Sequence, residues 1–265
     1  MKRILIILLL AQAAVFTTKA QIGYNYAQWS LGTGISYVTG ATSVLNQSSH
    51  GAYNFNLGYN LSPYINVTLD YQFGTLSGGY NEYYPKAVAA LDPTNAKYDS
   101  LLLNIPIQYS KTDPYHLSYS NSFQALNLHV DVQLGEFMDY AGDGIVAKAA
   151  KNIYVGTGIG LVFNSISNNN SRLSPDSTYY IGGEDNSQNV MIPLRVGYQF
   201  KVYNDYDEPY LLVELGYQHN YILGYGLDGF ADPLVLTKKF EQYSGFSFGI
   251  KWNFGSITSY RRPIH

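Results

Sequence analysis

An all-β fold, a closed antiparallel barrel of about eight strands that crosses a membrane strand by strand, is what this sequence predicts. Three observations predict it. Segments of roughly ten residues alternate strictly between apolar and small polar side chains. Charged residues make up only 13% of the chain, against about a quarter in ordinary soluble domains. Aromatics reach 15%, with 27 Tyr, yet after Ala20 no apolar run is long enough for a spanning helix.

The N-terminus is read first. Lys2 and Arg3 form a basic head, Ile4 to Phe16 is almost wholly apolar, and Thr18-Lys19-Ala20 supplies small residues before a cut. This order predicts a signal peptide over residues 1–20, cleaved between Ala20 and Gln21, and hence export. The chain has no Cys, which excludes disulfides, a lipid attached through cysteine and cysteine-ligated metal centres. A formal charge of -3 offers no field for nucleic acid.

Each strand follows from its alternation. Trp29, Leu31, Thr33, Ile35 and Tyr37 share one face of the first strand, with Ser30, Gly32, Gly34 and Ser36 on the other. The second carries Tyr53, Phe55, Leu57, Tyr59 and Leu61 against Asn54, Asn56, Gly58 and Asn60; the third carries Ile65, Val67, Leu69, Tyr71 and Phe73 against Asn66, Thr68, Asp70 and Gln72. The fourth sets Leu126, Leu128, Val130, Val132 and Leu134 against Asn127, His129, Asp131 and Gln133. In the fifth, Ile153 to Phe163 alternate with Gly156, Gly158 and Gly160, a glycine row that makes room for side chains reaching across a small lumen. The sixth runs from Val190 to Phe200 with Arg195 on its polar face, the seventh from Leu211 to Gln218 with Glu214, and the last from Gly245 to Phe254 with Lys251. One parity places Trp29, Leu57, Val67, Leu128, Leu194, Leu215 and Trp252 on a single lipid-facing belt.

Link lengths predict the topology. Ser62-Pro63 and the stretch from Tyr203 to Pro209 are short, whereas the segments after the third, fifth and seventh strands are longer and rich in Gly, Asn, Asp and Pro. Short periplasmic turns and long extracellular loops are the outer-membrane pattern. The link from Gly135 to Asn152 is long for a turn, and Ala147 to Lys151 reads as one helical turn. Within the long loop 74–121, Leu101 to Tyr109 reads as an extracellular hairpin strand closed by Lys111-Thr112-Asp113-Pro114. The barrel domain is assigned to residues 21–255 and a C-terminal tail to 256–265.

The closing strand, Gly249-Ile250-Lys251-Trp252-Asn253-Phe254-Gly255, resembles that of small Bacteroidetes-type outer-membrane barrels. Tyr154-Val155-Gly156-Thr157-Gly158-Ile159-Gly160 and Ile192-Pro193-Leu194-Arg195-Val196-Gly197-Tyr198 are similar to recurrent strands of that family. The resemblance covers roughly Gln21 to Gly255. It implies a barrel in the outer membrane, in a group that includes a barrel of the gliding and type IX secretion machinery. It implies no catalytic residue and no cofactor.

The candidate site is the set of inward charges: Asp70, His129, Asp131, Arg195, Glu214 and Lys251. An unpaired buried charge is costly, so these are expected to pair across the lumen as a structural network, with Glu214 meeting Lys251 or Arg195. A gate or narrow pore is the alternative use of the same residues. An enzyme reading rests on His129 and Asp131, two apart on one strand face, as a base and its orienter. They fall toward the periplasmic end of the strand, however. His219 is placed outward near a rim, and His50 and His116 in loops. Gly156-x-Gly158-x-Gly160 lacks the Lys and following helix of a phosphate loop. Asp176, Glu184 and Asp185 lack calcium-ligand spacing. Asn170-Ser171-Arg172 is not a glycosylation acceptor. The expected partners are outer-membrane lipid and, through loop 74–121, other envelope proteins; no cofactor is expected.

Overall fold

The computed structural model describes residues 24–44, 46–79, 118–138, 145–167, 184–206, 208–230 and 240–260. The expected signal peptide, the Leu101 to Tyr109 hairpin and most of loop 74–121 lie outside these residues.

Eight strands form: β1 (Tyr24–Ala41), β2 (Gln47–Asn60), β3 (Ile65–Gly78), β4 (Tyr119–Gln133), β5 (Ile153–Ser167), β6 (Asn186–Tyr203), β7 (Pro209–Leu223) and β8 (Gln242–Tyr260). Each pairs antiparallel with the next, and β8 pairs back to β1, so the barrel is closed and no strand is left as an edge. The expected face assignment holds. Trp29, Leu57, Leu128, Leu194, Leu215 and Trp252 are exposed on the outside, Trp252 at 58%, and Val67 is half-buried on the same face. Their polar neighbours Asn56, Asp70, Asn127, Asp131, Glu214 and Lys251 are buried. This inside-out arrangement is opposite to that of a soluble sandwich. Outward aromatics pack along and across strands, as Trp29 does on Tyr59 (5.0 Å) and Tyr198 on Phe200 (4.6 Å).

The glycine row of β5 serves the expected purpose. Asn127, His129 and Asp131 of β4 sit opposite Gly160, Gly158 and Gly156. A Cβ on Gly160 would lie 2.1 Å from the Asn127 side-chain oxygen, and one on Gly156 would lie 2.0 Å from that of Asp131. On the other side of β5 the pairing with β6 is interrupted between Thr157 and Gly160. Pro193 stands in β6 at that gap and has no N–H to donate.

Two differences from the sequence reading concern the short-turn end. β8 continues past Gly255 to Tyr260, so residues 256–260 are strand where a tail was expected. Tyr24 to Ala27 of β1 pair with Ile257 to Tyr260, after an irregularity between Ala27 and Trp29. Gly255 has φ 92°, and this break in the strand hides its continuation from a strict alternation reading. The β4–β5 link holds a short 3-10 turn (Leu134–Glu136) and one helix, α1 (Ile145–Ala150). Glu136 explains part of the length of this link. It accepts hydrogen bonds from Ser62 Oγ (3.0 Å) and Tyr260 Oη (3.0 Å), joining three separate chain segments beneath the barrel. His50 also departs from expectation, since it belongs to β2 and not to a loop.

Gly158 gives a test of the packing rule. A Cβ there would meet the Leu128 carbonyl oxygen at 2.1 Å and His129 Cα at 2.6 Å, both backbone atoms that cannot swing aside. Gly158→Ala is expected to cost about 1–3 kcal/mol in denaturant unfolding of the detergent-solubilised barrel. Gly51→Ala, whose Cβ would meet nothing within 4 Å, is expected to change stability little.

Candidate functional site in the barrel interior

The inward charges meet near the middle of the lumen. Arg195 reaches Asp131 Oδ2 with Nη1 (2.5 Å) and Glu214 Oε1 with Nη2 (2.8 Å). Lys251 Nζ reaches the other carboxylate oxygen of Glu214 at 2.6 Å. The Tyr154 hydroxyl (2.9 Å) and Gln199 Nε2 (3.1 Å) complete four donors on Glu214. The expectation that Glu214 pairs with Lys251 or Arg195 is met by both. Two cations face two anions, so the network is neutral as a set.

Local sequence makes these contacts possible. Gly156 lies between Asp131 and Arg195 in the cross-strand row, and its missing side chain lets the two meet across β5. Tyr154 lies over Gly197 and Gly216, where added Cβ atoms would come within 2.6 Å and 2.4 Å of its hydroxyl. The Arg195 guanidinium sits 5.4 Å from the centre of the Tyr154 ring.

His129 Nε2 contacts Arg195 Nη1 directly. A guanidinium only donates, so this ring nitrogen accepts and the imidazole is neutral. Its 3.5 Å approach to Asp131 is therefore not an ion pair. With its lone pair held and only 2% of its side chain exposed, His129 is poorly placed to act as a general base. Asp70 differs from the expected network. It is buried and inward, but it accepts a hydrogen bond from Asn54 Nδ2 (2.8 Å) and has no ion pair among the described residues. A small polar cavity lies between the two groups. Its wall includes Asn54, Asp70, Gln72, Arg195, Glu214 and Lys251.

Further side chains meet across the lumen above and below this level. Toward the short turns, Gln133 Nε2 donates to Gln199 Oε1 (2.6 Å), and Lys201 Nζ donates to the Pro63 carbonyl (2.8 Å) over the Tyr64 ring. Toward the long loops the interior turns apolar, contrary to the mostly polar lining read from alternation. Phe123 packs on Tyr243 with ring centres 5.2 Å apart, and Leu76, Val162, Met191 and Ile222 join the same buried cluster. Leu227 and Phe230, from the link after β7, insert into this cluster with no exposed surface. Sequence reading passed over this insertion. Its signal was the placing of Leu227 and Phe230 among Gly224, Gly226 and Gly229.

No family model matches the chain. No curated protein matches it. Solved structures similar to it include Neisserial surface protein A (NspA), 12% identical, with a TM-score of 0.43 over 86% of this chain and 98% of that one. Ail, the attachment invasion locus protein of Yersinia pestis, is 10% identical with a TM-score of 0.40, covering 86% of this chain and 99% of that one. The outer membrane protein OprG from Pseudomonas aeruginosa is 10% identical with a TM-score of 0.35, covering 89% and 99%.

Among the described residues no group of three or more His, Cys, Asp or Glu is disposed to hold a metal ion. Removing one partner of a desolvated pair leaves the other charge alone. Glu214→Ala is therefore expected to lower the unfolding free energy in detergent by roughly 3 kcal/mol, part of which returns in the double variant with Lys251→Met. Purely additive effects in that cycle would show that the two side chains do not interact.

Proposed function

We propose that this chain is an integral outer-membrane barrel with a structural or interaction role and a plugged lumen. The observation that carries this reading is the pairing of an exposed apolar exterior with a buried, charge-neutral interior. Leu31, Ile35, Leu128 and Ile159 are at least half exposed on the outside, which is unfavourable in water and suits lipid. The Arg195, Asp131, Glu214 and Lys251 network reaches across the lumen, and a closed barrel of eight strands leaves little room beyond its side chains. The signal-like N-terminus supports export, and the link lengths support long loops facing outward. The closing-strand motif supports kinship with small Bacteroidetes-type barrels. Loop 74–121, the longest link, is the proposed contact for another envelope protein.

Two measurements test this. After expression with residues 1–20 in a Gram-negative host, the protein is expected in the outer-membrane fraction, and soluble recovery from the periplasm would refute the membrane reading. In planar lipid bilayers the refolded protein is expected to show no open-channel steps; steady single-channel conductance would refute the plug and favour the narrow-pore alternative.

One observation favours the rival reading of a small lipid-processing enzyme. His50 Nε2 lies 2.6 Å from Ser77 Oγ near the long-loop end, with both residues half-buried. A histidine beside a serine hydroxyl is the first element of an activated nucleophile. Among the described residues no carboxylate orients this imidazole, so the scaffold reading is preferred. A fluorophosphonate probe is expected to leave Ser77 unlabelled; labelling that disappears in His50→Ala would establish the enzyme.

A further inference from the structure

Residues 224–230 fold into the long-loop mouth of the barrel, and two carboxyl groups hold them there. Asp228 Oδ2 accepts from the Ser43 amide (3.2 Å) in the β1–β2 turn, and Oδ1 accepts from the Phe230 amide (3.0 Å). Glu241 Oε2 accepts from the amides of Gly226 (2.7 Å) and Leu227 (2.6 Å). Further bonds fix the same segment from other strands: Asn121 Nδ2 donates to the Leu227 carbonyl and Ser187 Oγ to the Gly226 carbonyl. Gly229 has φ 81°, which favours glycine at this turn.

Asp228 and Glu241 are both 0% exposed and lie side by side, and Glu241 Oε1 meets no donor among the described residues. Two carboxylates cannot hydrogen-bond to one another unless one of them carries a proton. Among the described residues, the elements packed against them bring no compensating charge. From the β1–β2 turn come the Thr42 hydroxyl and the Ser43 amide. From β4 comes Tyr119, whose hydroxyl donates to Gln47 Oε1. The β5–β6 link brings Glu184 and Asp185, which bond through their backbones. β7 contributes the Ile222 amide. No cation among the described residues pairs with either carboxyl.

We propose that residues 224–230 are a proton-held cap, closed while Asp228 and Glu241 share a proton and released when both ionise. Release withdraws Leu227 and Phe230 and opens the apolar chamber beneath them to the outside. Burial pushes both carboxyls above the ordinary carboxylate range, and the Asp228 charge pushes Glu241 further. The sign follows from linkage. The closed state binds a proton that the open state gives up, so closure is strongest below the ordinary carboxylate range and weakens as pH rises through the raised values. This inference does not depend on which membrane holds the barrel.

Hydrogen exchange on the full chain, refolded in detergent micelles, tests it. Protection of residues 224–230 is normalised to the intrinsic pH dependence of exchange, with β8 as the internal reference. From about pH 5 to about pH 9, wild-type protection is expected to fall at least about tenfold while β8 is unchanged. Glu241→Gln, which keeps an oxygen for the two amides and an N–H for Asp228, is expected to remain protected throughout. Wild-type protection that does not change with pH, or an equal loss in Glu241→Gln, overturns the proposal. If Glu241→Gln is unprotected at every pH, Asp228→Asn decides: continued protection at the upper pH supports the cap, and its loss overturns it.

Discussion

Glu214 is the side chain on which four strands converge. It projects from β7 and receives donors from Tyr154 of β5, Arg195 and Gln199 of β6, and Lys251 of β8. A carboxylate this deeply buried is tolerated only when its oxygens are satisfied, and here both are. The same requirement fixes its neighbours. Arg195 completes its own coordination on Asp131, and Asp131 is reached only because Gly156 carries no side chain between them. The charges and the glycines are thus one device, since long polar side chains span the lumen where the intervening strand supplies no Cβ.

That device divides the interior into levels of different character. The central level is ionic and neutral as a set. Beside it lies a small polar cavity where Asp70 meets Asn54 and not a cation. Above, Phe123, Met191, Tyr243 and the inserted Leu227 and Phe230 make an apolar seal. Below, Lys201 covers Tyr64 and the link carrying Glu136 ties the turns together. The apolar exterior needs none of these levels; they arise from the inward side chains alone.

The wall was legible in the sequence because its period is two and its two faces differ sharply in chemistry. Trp29 and Trp252 follow that rule, and so do the inward Arg195, Glu214 and Lys251. What parity cannot supply is height and reach within the lumen. Asp70 shares the inward parity of Asp131 yet meets no cation, because the cavity intervenes. Gly255 interrupts the alternation, so the stretch to Tyr260 reads as a tail. Asp228 and Glu241 lie in a link, where an acidic residue ordinarily reads as solvated. Their burial comes from the whole segment folding inward, a tertiary event with no periodic signature. His50 read as loop for a different reason: it stands where the β2–β3 pairing is irregular, between Ser48 and Ala52.

The pairing of β1 with β8 has a consequence for how the molecule is made. Tyr24 lies beside Tyr260, so the closing seam joins the first strand to the last. Every other seam is formed by neighbours in sequence. The last seam cannot begin until the final strand exists, and it carries the loop-closure entropy of almost the entire polypeptide. Contacts of such long sequence separation form late and slowly. Until then β1 and β8 both present unpaired edges, open to pairing with another chain. A barrel closed in this way is protected against edge-to-edge pairing only once β1 and β8 have met.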